Sequence, residues 1–145
     1  MERIVLAYAG GLDASVAIPW LKAEHRVEVV TMTLDLGQGH ELEAVRDRAL
    51  AMGAVRAHVL DMREEFTREL VVPSLKADAL FDDRSPMTSS LSRPLIARKL
   101  VEIAEIEHAG AVAHGGRTKR AALDVLLKAV RPKLRILAPV CEWTM

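Results

Sequence analysis

The segment from residue 4 to residue 18, IVLAYAGGLDASVAI, places an apolar run directly before two glycines, an aspartate and a serine. A strand, a glycine turn and a helix in this order aim backbone amides and the positive end of a helix at an anion. Gly10 and Gly11 let the main chain approach a ligand without Cβ clashes, and Ser15 adds a hydroxyl donor. The segment predicts a phosphate-binding loop, although two glycines can also serve only as a tight strand-to-helix turn.

The spacing within this loop excludes two common nucleotide motifs. It fits neither G-x-x-x-x-G-K-[ST] nor G-x-G-x-x-G, so neither a P-loop NTPase nor a dinucleotide-binding dehydrogenase is favoured. Asp13 would repel phosphate directly, so it is expected either to hold Mg²⁺ or to cap the helix. No residue of the loop is identified as catalytic.

Strand and helix patterns alternate along the chain. Strands are predicted at 3–8, 27–34, 55–60, 111–114 and 134–137, and helices at 12–24, 40–52, 62–80, 92–108 and 118–130, with a polar loop at 82–90. The alternation indicates an α/β fold, a parallel sheet covered by helices on both faces. Pro19 and Pro73 are expected to kink or interrupt their helices, and Ser92 to cap the helix that follows it.

Three polar or glycine-rich segments lie where predicted strands end, at 9–15, 35–40 and 114–119. Ligands in open parallel sheets bind beyond the carboxyl ends of the strands, where the strand order reverses. The coincidence of these three segments therefore indicates a binding site at one edge of the sheet.

Composition limits the classes of function. Half of the 145 residues are hydrophobic and 28% are charged, as in a soluble globular domain, which we expect to span 1–145. The 20 basic and 20 acidic residues cancel, so no global field favours nucleic acid or a membrane surface. The single cysteine, Cys141, permits no internal disulfide, and neither a signal peptide nor a membrane helix is recognised. We expect a cytoplasmic location.

Other candidate groups are weaker. The five histidines show no metal-ligand spacing, so no protein metal site is predicted. His114, at a strand end, is more simply a structural histidine than a catalytic one, and Asp35 and Asp61 more simply turn residues than acid–base groups. A basic cluster at a helix start could hold phosphate or RNA but is more simply a solvated helix end; it comprises Arg117, Lys119 and Arg120.

The first loop also carries a family resemblance. AYAGGLDASVAI resembles the S-G-G-x-D-S loop of the N-type ATP pyrophosphatases and, more closely, AYSGGLDTSVAI of the argininosuccinate synthetase family. The similarity continues, in order, through TLDLGQGHELEAVRDRALAMGA, REEF, SRPLIARKLVEIAE, AVAHG and APVCEW. It covers nearly the whole chain and corresponds to the family's N-terminal nucleotide-binding domain.

The resemblance implies a HUP-type fold, a three-layer α/β/α sandwich around a five-stranded parallel sheet of order 3-2-1-4-5. It also implies ATP and Mg²⁺ as cofactors. The family acts in arginine biosynthesis as an ATP-dependent C–N ligase. ATP adenylates the ureido oxygen of citrulline and releases pyrophosphate, and the amine of aspartate then displaces AMP.

Position by position, the resemblance implies that the loop from Ala9 to Ser15 faces the phosphates, that Leu34 lines the adenine site and that Gly115 lies near the nucleotide. Gln38 stands in the family's D-x-G-Q-G run. The implied nucleotide-binding residues are Ala7, Tyr8, Ala9, Gly10, Gly11, Asp13, Ser15, Leu34 and Gly115.

The loop nevertheless departs from the family pattern. The family's serine and threonine are Ala9 and Ala14 here, so two hydroxyl donors to phosphate are missing. A hydrogen bond to a charged group contributes about 1.5–3 kcal/mol. Each lost bond would weaken ATP binding roughly ten- to a hundredfold, unless water or Mg²⁺ substitutes.

The amino-acid site departs further. Ser90, Arg93 and Lys119 match family substrate positions. The family's asparagine, aspartate and arginine are replaced by nonpolar residues, at Ala121, Ala122 and Val125, and its tyrosine positions align with Arg84 and Ser85. Because alanine and valine cannot hydrogen-bond polar substrates, we expect that the chain alone does not make argininosuccinate.

Three hypotheses follow. The chain is a binding module for ATP or AMP, an adenylating ligase for another substrate, or a domain without a ligand. The ligase hypothesis allows a partner chain to supply the family's C-terminal synthetase domain, which we expect to be absent. Under it, the altered pocket would suit a more acidic or bulkier substrate, because it carries Arg84, Arg117 and Arg120. Surface that such a domain would cover predicts a homo-oligomer.

Overall fold

The computed structural model describes residues 1–39, 41–81, 85–86, 88–116 and 122–143. In chain order the elements are β1 (Arg3–Ala7), α1 (Leu12–His25), β2 (Glu28–Asp35), α2 (Leu42–Ala51), β3 (Arg56–Asp61), α3 (Arg63–Phe66), a π-helical turn (Thr67–Val71), α4 (Val72–Lys76), β4 (Leu80–Phe81), β5 (Ser85–Pro86), α5 (Thr88–Ile106), β6 (Ala111–Ala113), α6 (Ala122–Val130), β7 (Arg135–Leu137) and α7 (Pro139–Glu142).

Five of these strands form one parallel sheet in the order β3-β2-β1-β6-β7. In order of appearance they are the first to fifth strands of the sheet, so the predicted order 3-2-1-4-5 is confirmed. β1 lies at the centre, with Ile4 opposite Val29 of β2 on one side and Ala111 of β6 on the other. The strand order therefore reverses at β1, and a crevice is expected beyond its carboxyl end.

Apolar side chains cover both faces of this sheet, as the alternating pattern predicts. Ile4 and Leu6 pack on the face that carries α1 and α2, whereas Val5 packs on the opposite face with α5 and α6. Successive residues of a strand point to opposite faces, so the apolar residues 4–7 of β1 serve both layers. The three-layer α/β/α arrangement is confirmed.

The structure corrects several predicted boundaries. α5 begins at Thr88, within the predicted loop at 82–90, so Ser92 lies inside the helix rather than at its cap. Pro94 therefore lies in the second turn of α5 rather than the first, and its missing N–H removes one hydrogen bond of the helix. α1 spans Leu12–His25 and contains Pro19, within one residue of the predicted range 12–24. The predicted helix at 62–80 ends at Lys76. It contains a π-helical turn, Thr67–Val71, which is followed by α4 with Pro73 as its second residue.

Ion pairs cross the amino edge of the sheet, opposite the crevice. The carboxylate of Glu107, at the end of α5, is only 1% exposed. It accepts hydrogen bonds from Arg56 Nη1 at 2.8 Å and from Arg3 Nη1 at 3.2 Å, and it lies 2.7 Å from His58 Nε2. Burial by itself raises the pKa of Glu107, but the hydrogen bonds from His58 and Arg56 outweigh burial and leave that pKa below its usual value. Glu107 therefore joins α5 to β1 and β3 as an ionised carboxylate.

Replacing Glu107 with glutamine should remove the pH dependence of this junction. Because its pKa is lower in the folded protein, the ionised carboxylate stabilises the fold above the unfolded value of about 4.3, and this contribution is lost as the pH falls further. We expect Glu107→Gln to lower the free energy of unfolding by about 2 kcal/mol at pH 7. The difference from wild type should shrink towards pH 3, as measured by urea denaturation.

Glu105→Gln is the matched control, because Glu105 lies on the same helix in an exposed pair with Arg131. Exposed pairs contribute about 0–1 kcal/mol. A Glu107→Gln protein with wild-type stability at pH 7, or with an unchanged difference at pH 3, would contradict the assigned role.

Candidate functional site

Two adjoining cavities open at the carboxyl edge of the sheet, where the strand order reverses. The inner cavity, of about 310 Å³, is lined by Ala7, Tyr8, Ala9, Met32, Thr33, Leu34, Leu36, Gln38, Leu42, Val45 and Ile96. The loop cavity, of about 550 Å³, is lined by Ala7, Ala9, Gly11, Leu12, Asp13, Ala14 and Gly115. Because both contain Ala7 and Ala9, one ligand can extend from the first into the second.

The start of α1 faces the loop cavity. Gly10 has a φ of +80°, which glycine adopts readily, and Gly11 is the N-cap of α1 without a side-chain cap hydrogen bond. Gly11, Leu12 and Ala14 line the cavity directly. The first amides of a helix have no acceptor within the helix, and together with its dipole they place about half a positive charge at that end. The loop cavity is therefore suited to an anion.

Ser15 supports this loop from beneath. Its hydroxyl donates to the carbonyl of Gly11 at 2.8 Å and lies 2.8 Å from the hydroxyl of Tyr8. Since the Ser15 proton is used towards Gly11, Tyr8 must be the donor in the second contact. Both residues are buried, at 6% and 3% exposure. Contact between the Ser15 hydroxyl and phosphate would require that hydroxyl to leave Gly11.

The inner cavity is mostly apolar, with polar groups at its rim. Met32, Thr33 and Leu34 come from the carboxyl end of β2, and Ile96 comes from α5. Small-molecule pockets commonly combine an apolar lining with a few polar atoms that fix orientation. This cavity is therefore suited to a flat, apolar-faced group with hydrogen-bonding edges.

Gln38 fixes the loop that borders the inner cavity. Its Nε2 donates to the carbonyl of Leu34 at 2.8 Å, and its Oε1 accepts from the amide of Leu36 at 2.7 Å. Asp35 Oδ1 accepts from the amide of Gly37, which has a φ of +92°. The predicted turn role of Asp35 is confirmed, and the loop after β2 is held by its own side chains.

One arginine forms ion pairs with two strand-end carboxylates at the same edge. Arg63 donates to both carboxylate oxygens of Asp61, at 2.9 and 2.7 Å, and its Nε lies 3.5 Å from Asp35 Oδ2. The side-chain hydrogen bonds from Arg63 lower the pKa of Asp61 to about 2. Asp61 is therefore ionised near neutral pH and does not act there as a general acid.

His114 organises the loop that follows β6. It is 3% exposed, and its Nε2 bonds to Asp124 Oδ1 of α6. Its Nδ1 accepts from the amide of Gly116 at 3.0 Å, which leaves Nε2 as the protonated nitrogen. Cys141 Sγ donates to the carbonyl of Gly116 at 3.2 Å. The structural role expected for His114 fits these contacts, which position Gly115 beside the loop cavity.

The structure brings most of the implied nucleotide-binding residues to these cavities. Tyr8 and Leu34 line the inner cavity, Gly11, Asp13 and Gly115 line the loop cavity, and Ala7 and Ala9 line both. Gly10 lies between Ala9 and Gly11, and Ser15 lies beneath them.

The implied substrate residues that the structure describes, Ser90 and Arg93, line neither the inner cavity nor the loop cavity. Ser90 and Arg93 are exposed in the first turns of α5. Arg93 precedes Ile96 of the inner cavity by three residues, which places the two on neighbouring turns of one helix face. Four further positions, Arg84, Arg117, Lys119 and Arg120, lie outside the described residues, as does Ala121.

Sequence reasoning missed several contributions to the site, three of which come from helices. Leu42 and Val45 of α2 line the inner cavity, and Asp124 is the partner of His114. The apolar face of α2 was visible in the sequence, but its position over the first loop follows from tertiary packing. Asp124 lies ten residues after His114, a separation with no recognisable motif.

Comparison with known proteins identifies the family. The model of the arginosuccinate synthase N-terminal HUP domain matches residues 3–145. The chain belongs to the argininosuccinate synthase family. The argininosuccinate synthase of Carboxydothermus hydrogenoformans is 48% identical over 145 residues, and that of Geobacillus sp. (strain WCH70) is 49% identical over 145 residues. Each match covers 98% of this chain but 36% of the relative, so the chain spans about a third of the length of these synthases.

Solved structures share the fold. A predicted subunit of tRNA methyltransferase from Methanocaldococcus jannaschii matches with a TM-score of 0.60 and 13% identity, over 99% of this chain and 70% of that one. The NH3-dependent NAD synthetase of Campylobacter jejuni matches with a TM-score of 0.52 and 11% identity, over 76% and 45%. At these identities the similarity shows a common HUP-type architecture.

In the described part of the chain, none of the helices is long and apolar enough to cross a membrane. Within the same residues, no group of three or more histidine, cysteine, aspartate or glutamate side chains is placed to hold a metal ion.

The tautomer of His114 tests the geometry of the loop after β6. At pH 8, where histidine is ordinarily neutral, long-range ¹H–¹⁵N spectra should show His114 protonated on Nε2, because Nδ1 is an acceptor. In Asp124→Ala this preference should weaken and the Gly116 amide resonance should shift. His25, also partly buried, is the internal reference in both spectra. A wild-type His114 protonated on Nδ1 would contradict the assigned contacts.

Proposed function

We propose that this domain binds ATP or AMP, with the adenosine in the inner cavity and the phosphates in the loop cavity. The observation that carries the proposal is the continuity of the two cavities through Ala7 and Ala9, with the start of α1 at one end. Membership of the argininosuccinate synthase family supports the same ligand, because ATP is the cofactor that the family resemblance implies. The position of the cavities supports it as well, since ligands of such sheets typically bind where the strand order reverses.

The residues present fit this ligand. A Cβ added at Gly11 or at Gly115 would meet nothing within 4 Å, so the loop cavity is open at both glycines. Main-chain donors there require no side-chain hydroxyl, and the alanines at Ala9 and Ala14 leave additional space. We infer that phosphate recognition in this chain rests mainly on the backbone of the loop and on the dipole of α1.

Mg²⁺ is proposed as the companion ion of the phosphates. Protein sites for Mg²⁺ beside a nucleotide usually use one or two carboxylates, the phosphate oxygens and several waters. Asp13 is the acidic residue among those that line the loop cavity. It is therefore the residue proposed to contribute to this ion.

The chemistry available to bound ATP is transfer of its adenylyl group to an acceptor oxygen, with release of pyrophosphate. The residues of this chain would hold the base, aim the phosphates and stabilise the negative charge that develops on them. Preorganised amides at a helix start provide this stabilisation without reorganisation during the reaction.

We further propose that the chain alone does not form argininosuccinate. Ala122 and Val125, at two of the family's substrate positions, lie exposed on α6, and neither side chain can donate or accept a hydrogen bond. In other enzymes, the hydrogen bonds of a polar substrate site can discriminate between substrates by about 10⁴-fold or more, and that discrimination is lost with them. Three further expectations stay predictions: adenylation of another substrate with a partner chain, self-association, and a cytoplasmic location.

Blocking the loop cavity should weaken nucleotide binding without unfolding the protein. Gly115→Leu adds a side chain in open space at a position without positive φ. By isothermal titration calorimetry with MgATP, we expect wild type to bind and Gly115→Leu to bind at least about tenfold more weakly, a loss of about 1.4 kcal/mol.

Ala23→Leu is the matched control, because it adds the same side chain to the exposed surface of α1. It should bind as wild type does, and all three proteins should have similar melting temperatures. Wild type without heat of binding at millimolar MgATP, or Gly115→Leu with wild-type affinity, would contradict the proposed site.

A further inference from the structure

We propose that Arg48 of α2 is a positioning residue of the phosphate-binding loop, and this inference rests on the proposed ATP site. Arg48 Nη1 donates a hydrogen bond to the carbonyl of Gly10 at 2.8 Å, across 38 residues of sequence. A guanidinium bond to a peptide oxygen is charge-assisted and is stronger than a neutral one. It joins the second helix to the glycine turn that begins the first.

The bond fixes the plane of one peptide group. The carbonyl of Gly10 and the amide of Gly11 belong to the same planar trans peptide, so their C=O and N–H bonds point in opposite directions. With the carbonyl held towards Arg48, the amide of Gly11 is directed away from α2. Glycines on both sides of this peptide make its rotation easy in the absence of such a restraint.

The amide is thereby directed to the side of the loop cavity. α2 packs over β2 and β3, on one side of β1, whereas Gly115 follows β6 on the other side. The loop cavity, lined by both Gly11 and Gly115, lies on the side of β6. An anion in that cavity gains the Gly11 amide as a donor only when this peptide has the orientation that Arg48 holds.

Close packing of α2 on the turn reinforces the restraint. A Cβ added at Gly10 would lie 3.1 Å from Val45 Cγ2 and 3.5 Å from Arg48 Nη1. Val45 also lines the inner cavity. The same turn of α2 thus contacts the glycine turn through Arg48 and the proposed adenosine site through Val45. This separation predicts that the two side chains affect different parts of one ligand.

The test compares ATP with adenosine. Arg48→Ala should weaken binding of MgATP about tenfold, equivalent to about 1.4 kcal/mol, and leave adenosine affinity within about twofold of wild type. Arg48→Lys, which retains a charged donor, should restore most of the ATP affinity. Arg46→Ala is the matched control, because Arg46 is exposed two residues earlier on α2 and so points to a different side of the helix. Calorimetry measures all four proteins, and thermal melting confirms that each is folded.

The outcomes separate this inference from the proposed function. If wild type binds neither ligand, the proposed function fails and the role of Arg48 fails with it. If wild type binds ATP and Arg48→Ala binds it equally well, only the positioning role is overturned. Equal losses for ATP and adenosine, or a loss in Arg48→Ala that Arg48→Lys does not reverse, would also overturn it.

Discussion

The position of β1 at the centre of the sheet is the constraint on which the site depends. The chain begins the sheet with β1, adds β2 and β3 on one side, and returns through α5 to add β6 and β7 on the other. The loops that leave β1 and β6 therefore diverge, and a crevice opens between them above the start of α1. The loop cavity occupies this crevice, and the inner cavity adjoins it beyond the ends of β1 and β2. A different strand order with the same elements would leave the glycine turn without a facing wall.

Under the proposed function, the main chain in this crevice recognises the ligand, and side chains hold the loops in place. Tyr8 and Ser15 form a buried hydrogen-bonded pair beneath the loop, and Gln38 closes the neighbouring loop upon itself. His114 does the same for the loop after β6, through Gly116. Side chains that hold loops rigid reduce the conformational entropy lost on binding. This arrangement explains how the loop can lack hydroxyls at Ala9 and Ala14 and still present an ordered surface to an anion.

Local patterns in the sequence predicted a parallel α/β sheet, whereas the strand order 3-2-1-4-5 came from the family resemblance. The apolar residues 4–7 of β1, the amphipathic pattern of α5 and the glycine turn between β1 and α1 are all visible without coordinates. The start of α5 was missed because Pro94 is typical of a first helical turn, whereas tertiary packing outweighs the local cost of its missing hydrogen bond.

In the site, there is a physical reason why some residues were predicted and others were missed. Residues of the first loop are contiguous in sequence, so their spacing carries a signal. Arg48 and Asp124 act across 38 and ten residues of sequence, through single hydrogen bonds that no short motif encodes. The direction of the Ser15 hydroxyl was equally invisible, because a serine in a loop can face a ligand or the loop itself, and only the position of Tyr8 decides.

The central claim is that the main chain around the glycine turn receives the phosphates of ATP, and amide chemical shifts test it most directly. In ¹⁵N-labelled protein titrated with MgATP, the account predicts progressive shifts of the Gly11, Ala14 and Gly115 amides, together with Leu34 of the inner cavity. Amides at the opposite edge of the sheet, such as those of Glu28 and Gly110, should stay in place. Unchanged amides at the glycine turn in saturating MgATP, or shifts confined to another surface, would contradict it.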